Sequence, residues 1–325
     1  MKTPFKVLGL ILACVVAFAA AESWGQDYPS KPIRIVVGFA PGGGTDVTVR
    51  MLGPKLSALL GQPVIVENKP GAEARISTEY VAKAAPDGYT LLAGGTGQMV
   101  LNPGLFEPVP YDPVNAFIPI TLFNLDQLVI AVHPLVPANS LKELIALAKA
   151  KPGQLFHASS ASSFYLAAEL IKRQAGVDIV QVPYKGAAPS ISATVAGETS
   201  MIVLSIPPLI GLLKAGKLRA LAINGPARSR FLPDIPTALE SGLDFDGSTW
   251  VGLFAPAGTP RSIVDKLYSA TSAVLKDDAM KERFVSQGRE PLGPVAMPPA
   301  EFDAFFKAEL AKWTKAIKDF NIRAN

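Results

Sequence analysis

Short apolar runs alternate with segments of helical spacing along most of the chain. The run IRIVV at 33–37 has the β-branched composition of a buried strand, and segment 45–60 then places valine and leucine at three- and four-residue intervals. Further strands are predicted at 64–68 and 89–95, with a helix at 73–84 between them. Strands that alternate with helices predict a parallel sheet covered by helices on both faces.

A second unit of the same kind follows this one. Its predicted strands are short β-rich runs, at 128–132, 154–160, 179–182, 201–205 and 218–223. Ser140 with Glu143 three residues later is a capping box that begins one helix. Gly176 ends another helix, predicted at about 162–175.

One more strand and two helices complete the pattern. The strand is predicted at 249–260, and Pro260 begins a helix that runs to about Leu275. Between Pro299 and Asn321 the large apolar residues share one face at a spacing near 3.6, which predicts a packing helix. A chain of 325 residues also exceeds the size of about 250–300 residues at which single cores stop growing. We therefore predict an α/β protein of two sheet-and-helix lobes.

The N-terminus has the three parts of a secretory signal peptide. A start with two lysines is followed by an apolar run at 7–18 and by three alanines that end at Ala21. The run is shorter than the ~20 residues that span a bilayer. We therefore expect residues 1–25 to hold a signal peptide, cleaved after Ala21 or after Gly25, and the mature protein to be periplasmic.

Composition excludes several classes of site. The single cysteine, Cys14, lies inside the leader, so the mature chain offers no disulfide, thiolate ligand or cysteine nucleophile. As a lipoprotein acceptor, Cys14 would leave the apolar segment VVAFAAA as a tether. Removal of a leader ending at Ala21 leaves 29 basic and 27 acidic residues, about +2, which suggests neither nucleic acid nor a membrane surface as a partner. We expect no cofactor and no metal.

The glycine-rich stretch GFAPGGGTD at 38–46 follows the first predicted strand and begins a helix. It resembles a phosphate loop, but Gly44 stands where that motif needs lysine, and Pro41 removes one backbone N–H. The dinucleotide pattern also fails, because Val47 replaces its third glycine. What remains is either a simple turn or an uncharged anion cradle built from N–H groups at a helix start.

Three further loops follow predicted strands. They are GGTGQ at 94–98, HASSASSFY at 157–165 and VPYKGAAPS at 182–190. In open α/β sheets ligands bind at the carboxyl ends of strands, so these loops could share a pocket, although serines also cap helices routinely. The only histidines are His133 and His157, and ASSAS is not a G-x-S-x-G elbow, so a serine hydrolase is disfavoured.

Several blocks together resemble one family along essentially the whole mature chain. The blocks are YPSKPIRIVVGFAPGGGTD, PDGYTLLAGG, VPYKGAAP, KAGKLRALAI, LPDIPTALESG and WVGLFAPAGTP. They look like the extracytoplasmic solute-binding receptors of tripartite tricarboxylate transporters, the Bug-type receptors. The resemblance implies a two-lobed periplasmic-binding-protein fold that closes on a small carboxylated solute.

The same resemblance implies which residues contact the solute. In the first lobe they are Phe39, Ala40, Gly42, Gly43, Thr45, Asp46, Thr96 and Gly97. In the second lobe they are Ser159, Ser160, Ser163, Tyr184, Lys185, Gly186 and Ala187. Tyr165, Ser205 and Trp250 are further candidates, and no catalytic residue is expected.

Departures from the family pattern fall near the expected cleft. After NKPGA the family usually continues with glycines and an asparagine, but Glu73, Ala74 and Arg75 follow here. Arg75 could clamp a distal carboxylate, or it could pair with Glu73 or Glu79 at the surface. Tyr165 replaces a usual histidine, and Leu204-Ser205 replaces an Asp-Asn pair, which favours an aromatic or partly apolar carboxylate as the solute.

We therefore expect a monomeric receptor that hands its solute to transporter membrane subunits. Lobe 1 is predicted at 26–128 plus 251–325, and lobe 2 at 129–250. A sensor subunit for a membrane signalling partner and a secreted hydrolase are the alternative functions.

Overall fold

Two five-stranded sheets form the centres of two lobes. The structure, a computed structural model, describes residues 28–106, 108–243, 247–289 and 295–322, so the predicted signal peptide lies outside the described residues. The strands are β1 (Ile33–Val37), β2 (Val64–Asn68), β3 (Thr90–Gly95), β4 (Phe117–Asp126), β5 (Leu128–Val132), β6 (Phe156–Ser159), β7 (Val180–Pro183), β8 (Met201–Ser205), β9 (Arg219–Asn224) and β10 (Thr249–Pro256). One sheet has the order β2-β1-β3-β10-β4 and the other the order β7-β6-β8-β5-β9.

Helices connect most of these strands. They are α1 (Gly44–Leu60), α2 (Arg75–Ala82), a π-helix (Gly97–Leu101), α3 (Asn102–Leu105), α4 (Leu141–Ala150), α5 (Ser162–Ala175), α6 (Ala187–Val195), α7 (Ile210–Lys214), α8 (Arg261–Lys276), α9 (Asp278–Ser286) and α10 (Pro299–Asp319). In the part of the chain that the structure describes, no helix combines the length and apolar character that crossing a membrane requires.

Both sheets are mixed, so the predicted parallel pairing is confirmed for part of each sheet and wrong for β10 and β5. β1 pairs in parallel with β2 and β3, but β10 is antiparallel to both β3 and β4. In the other sheet β5 is antiparallel to β8 and β9. The reason is the chain path: β4 ends where the chain leaves the first sheet, and β10 is the strand on which it returns, so the two run in opposite directions.

The predicted C-terminal packing helix buries its aromatic face in the first lobe. Phe302, Phe306 and Trp313 of α10 are almost fully buried. Trp250 of β10 meets Phe302 nearly edge-on, with ring centroids 5.7 Å apart. This aromatic cluster supports the strand on which the chain returns from the second lobe.

The two lobes touch through α5 as well as through the connecting strands. Leu166 and Leu170 of α5 belong to the same apolar cluster as Met99 and Val100 of the π-helix, and all four are buried. Burial of this kind stabilises by about 1.5–3 kcal/mol per large side chain. The structure therefore shows the lobes in contact where α5 packs against the π-helix.

Candidate functional site

The glycine-rich loop after β1 is held from inside by one buried carboxylate. Asp46, 2% exposed, accepts hydrogen bonds from the backbone N–H of Gly42 at 2.9 Å and from Arg50 Nε at 2.9 Å. It also accepts one from Asn68 Nδ2, which donates in addition to the carbonyl oxygen of Phe39. Asp46 therefore fixes the loop, and its carboxylate is directed into the protein.

The charge of Asp46 is maintained by these donors. Burial alone would raise the pKa of this carboxyl, but the hydrogen bonds from Arg50, Gly42 and Asn68 outweigh it, and the pKa is lowered. A carboxylate that stays ionised keeps all its acceptor capacity for the loop. The sequence did not identify Asn68 as part of this arrangement, although its place at the end of β2 was a signal.

The loop places glycines, whose backbone is not covered by side chains, at the start of α1. Gly42 has φ +85, a conformation that favours glycine, and Gly43 is the N-cap of α1 with φ −71. No side chain caps α1, so its first-turn N–H groups have no intrahelical or side-chain cap partner. Phe39, Ala40 and Thr45 lie in the same turn and are partly or fully exposed.

The second glycine loop has a different character. Thr96 is 2% exposed, and its hydroxyl accepts a hydrogen bond from the backbone N–H of Trp250 at 2.8 Å. Gly97 begins the π-helix beside α5, where a Cβ on it would lie 3.2 Å from Ser162 Oγ. Thr96 therefore joins β3 to β10, whereas Gly97 permits close approach of the other lobe.

The serine-rich and tyrosine loops of the second lobe lie beside each other. Ser159 ends β6 and accepts a hydrogen bond at its carbonyl oxygen from the N–H of Tyr184 at 2.7 Å. Ser160 is buried, and Ser163 lies in the first turn of α5.

Gly186, with φ +108, is the N-cap of α6, with exposed Lys185 before it and Ala187 after it. Neither α5 nor α6 has a side-chain N-cap hydrogen bond.

Ser162 joins the two lobes at this point. Its backbone N–H donates to Glu73 Oε2 at 3.0 Å, and its hydroxyl donates to Asn102 Oδ1 at 2.8 Å. Asn102 Nδ2 in turn donates to the carbonyl oxygen of Glu73 at 2.7 Å. Ser162 lies in the predicted serine-rich loop but was not among the predicted solute contacts, and Asn102 was not predicted at all. Their partners are 89 and 29 or more positions distant along the chain.

The remaining candidates occupy three different environments. Arg75 donates from Nε to the carbonyl oxygen of Ala72 and lies 4.4 Å from the centroid of the Phe106 ring. Among the described residues it forms no ion pair with Glu73 or Glu79.

Tyr165 packs against the apolar cluster of the first lobe, and burial raises its pKa. Ser205 ends β8 and is partly exposed, whereas Trp250 is buried in the aromatic cluster.

The two histidines lie in environments that do not resemble a catalytic pair. His133 Nδ1 accepts a hydrogen bond from the N–H of Leu135. His157 is 2% exposed on β6, and burial followed by the nearby charge of Lys172 lowers its pKa to about 3. No group of three or more potential metal ligands occurs within the described ranges.

We expect His157 to make the protein less stable in mild acid. Its lowered pKa keeps it neutral in the folded state, whereas the unfolded chain binds a proton near pH 6.5. Above that pH both states are neutral, and His157 does not lower the free energy of unfolding. Below it the unfolded chain gains a proton that the folded protein does not bind, so the free energy of unfolding falls as the pH falls toward 3. The free energy of unfolding should be about 1.4 kcal/mol lower at pH 5.5 than at pH 7.5 from this residue.

Urea titrations of His157→Phe at both pH values measure this contribution. The variant should lose that part of the pH dependence, and His133→Gln, at the partly exposed histidine, should keep it. Equal pH dependence in wild type and His157→Phe would contradict the assignment.

A family model and a curated relative match most of this chain. A family model described as "Tripartite tricarboxylate transporter family receptor" matches residues 48–322. Protein BugT of Bordetella pertussis (strain Tohama I) is 34% identical over 317 residues, which cover 96% of each chain.

Two solved structures are similar over nearly their whole length. Rpa4515 of R. palustris, solved with adipate, is 32% identical with a TM-score of 0.86, and the match covers 91% of this chain and 99% of that one. MatC from Rhodopseudomonas palustris, with bound malate, is 31% identical with a TM-score of 0.84, covering 89% and 100%. These similarities confirm the predicted two-lobed α/β fold.

Proposed function

The chain belongs to the receptors of the tripartite tricarboxylate transporter family, and from this premise we propose that it captures a small carboxylated solute in the periplasm. The same membership makes it a solute receptor rather than an enzyme. The proposed solute site comprises the loops that begin α1, α5 and α6, together with Gly97. Delivery would be to the membrane subunits of such a transporter, by a receptor that acts as a monomer.

The observation that carries the proposal is that a glycine loop of the first lobe lies against the serine-rich loop of the second. Gly97 of the first lobe lies against Ser162 and Ser163 of the second, close enough that an added Cβ would be 3.2 Å from Ser162 Oγ. The starts of α1 and α6 have no side-chain cap, so each offers N–H groups and a partial positive charge to an anion. The bound adipate and malate of two relatives are anions of this kind.

A site whose solute contacts are mostly backbone N–H groups suits a receptor that must release its solute. Charge-assisted hydrogen bonds to backbone N–H groups contribute about 1.5–3 kcal/mol each, so a few of them with apolar burial are enough for micromolar affinity. Tyr165 and Phe39 add aromatic surface near the loops, which favours a partly apolar carboxylate. The solute would contact both lobes only when they are closed, and so shift the population toward closure.

Native mass spectrometry of freshly purified mature protein tests the proposal. We expect a co-purified organic acid, released unchanged on denaturation, and calorimetric binding when that acid is added back to stripped protein. A panel of aliphatic and aromatic carboxylates serves if the protein is purified empty. Conversion of a bound acid into a product, or absence of binding across the panel, would refute the proposed function.

A further inference from the structure

Glu73 occupies a backbone position that usually suits glycine. Ala72, Glu73 and Ala74 are consecutive residues with positive φ of 48°, 53° and 65°. Left-handed backbone is unfavourable for residues with a Cβ by roughly 1–2 kcal/mol each. The chain therefore carries three side chains here at a cost in local stability. This cost suggests that the side chain of Glu73 has a role of its own.

The carboxylate of Glu73 reaches across to the other lobe. Oε2 accepts the 3.0 Å hydrogen bond from the N–H of Ser162, the first residue of the fourteen-residue helix α5. Asn102 ties both ends of this contact, because it donates to the carbonyl oxygen of Glu73 and accepts from the hydroxyl of Ser162. A carboxylate at a helix start is favoured by the helix dipole. Glu73 therefore makes, from within the protein, the type of contact that a solute carboxylate makes with a helix start.

The surroundings leave this carboxylate only partly compensated. Burial raises the pKa of Glu73, and the hydrogen bond from Ser162 and the charge of Arg75 act in the opposite direction without cancelling it. Arg75 itself donates to Ala72 and lies over the ring of Phe106. A second carboxylate arriving at the start of α5 would find the N–H of Ser162 already bound by Glu73, and two carboxylates at one helix start would repel each other.

We propose that Glu73 is a specificity-determining residue that supplies α5 with a carboxylate of its own, so that the cleft selects solutes with one carboxylate over those with two. The inference rests on the proposed function, since it assigns the charge class of the solute at the same site. The solute carboxylate would bind at the start of α1, and its other end, directed toward α5, would be neutral. The contact also helps to hold the lobes together before the solute arrives.

Two substitutions separate charge from contact. Glu73→Gln keeps an acceptor for Ser162 but removes the charge, and Glu73→Gly removes both while placing a residue that tolerates the positive φ. Glu79→Gln is the matched control, because Glu79 lies on the adjacent helix α2 in an exposed pair with Lys83. The probes are hexanoate and adipate, which have six carbons and differ by one carboxylate.

Calorimetry should show that wild type and Glu79→Gln prefer hexanoate. The ratio of the two dissociation constants should shift toward adipate by about tenfold or more in both Glu73 variants. A ratio within twofold of wild type in both would overturn the inference while leaving the proposed function standing.

A second measurement needs no solute. The only cysteine, Cys14, lies in the predicted leader, so spin labels can be placed at Lys142→Cys and Lys276→Cys on the two lobes. Glu73→Gly should broaden the distance distribution toward longer values in the empty protein, and Glu79→Gln should not change it. If neither acid binds any variant, the proposed function fails for these acids. An unchanged distribution in Glu73→Gly would overturn the role of the contact in holding the lobes together, and the ratio of dissociation constants decides the charge selectivity.

Discussion

A Gly43→Val variant is expected to lose affinity for its solute by about 100-fold while remaining folded. Gly43 is the N-cap of α1, and its φ of −71 is compatible with a side chain. An added Cβ would meet only the carbonyl oxygen of Ala40, at 3.4 Å. The valine would instead occupy space beside the first N–H groups of the helix, where we propose that the solute carboxylate binds. Loss of one or two charge-assisted hydrogen bonds, at about 1.5–3 kcal/mol each, gives a change of this size.

Calorimetry with the acid that binds wild type, together with a thermal melt, measures both parts of this expectation. Gly211→Val is the matched control, because Gly211 lies in α7, is exposed, and has nothing within 4 Å of an added Cβ. The control should bind as wild type does. Unchanged affinity in Gly43→Val would place the solute away from the start of α1.

Replacement of Arg289 by methionine is expected to lower the free energy of unfolding by about 3–5 kcal/mol, because it leaves a buried carboxylate without its partner. Arg289 is 3% exposed, and its Nη1 donates to Asp126 Oδ2 at 2.6 Å. Its Nη2 donates to the carbonyl oxygen of Gly44, the first residue of α1. The same side chain therefore connects the end of β4 to the glycine-rich loop, and the variant should also bind solute more weakly.

The double variant Arg289→Met with Asp126→Leu tests the electrostatic part of this explanation. Replacing both charges by apolar groups should recover much of the lost stability in a urea titration, but not the contact with Gly44. Arg228→Met is the comparison for an exposed ion pair, since Arg228 pairs with Glu240 at the surface and its loss should change stability little. A stable Arg289→Met protein would contradict the assignment.

Local pattern was sufficient wherever an element is determined by its own residues. Ser140 caps α4 with its side chain as expected, although Glu143 reaches back to the N–H of Asn139 rather than to that of Ser140. Gly176 ends α5 in the left-handed conformation that a C-terminal glycine predicts. The strand-to-helix loops were found for the same reason, because their glycines and serines punctuate the apolar runs.

The sequence was insufficient where distant segments decide the structure. No strand was predicted between 95 and 128, yet β4 runs through Pro119 because β10 pairs with it along its length. Helices α3 and α9 and the π-helix were not predicted either. In the site, Glu73 stood out as a departure from the family pattern, but its contact with Ser162 could not be read from residues 89 positions apart. The role of Asp46 inside the loop likewise depends on Asn68 and Arg50, which only folding brings to it.

The two connections between the lobes have a mechanical consequence. β4 and β10 are neighbours in one sheet, and Thr249 pairs with Asp126, the last residue before the chain crosses to β5. Two strands joined side by side bend together more readily than they twist about each other, because twisting would break the hydrogen bonds between them. The lobes should therefore open about one main hinge axis, located where β4 and β10 leave the first sheet.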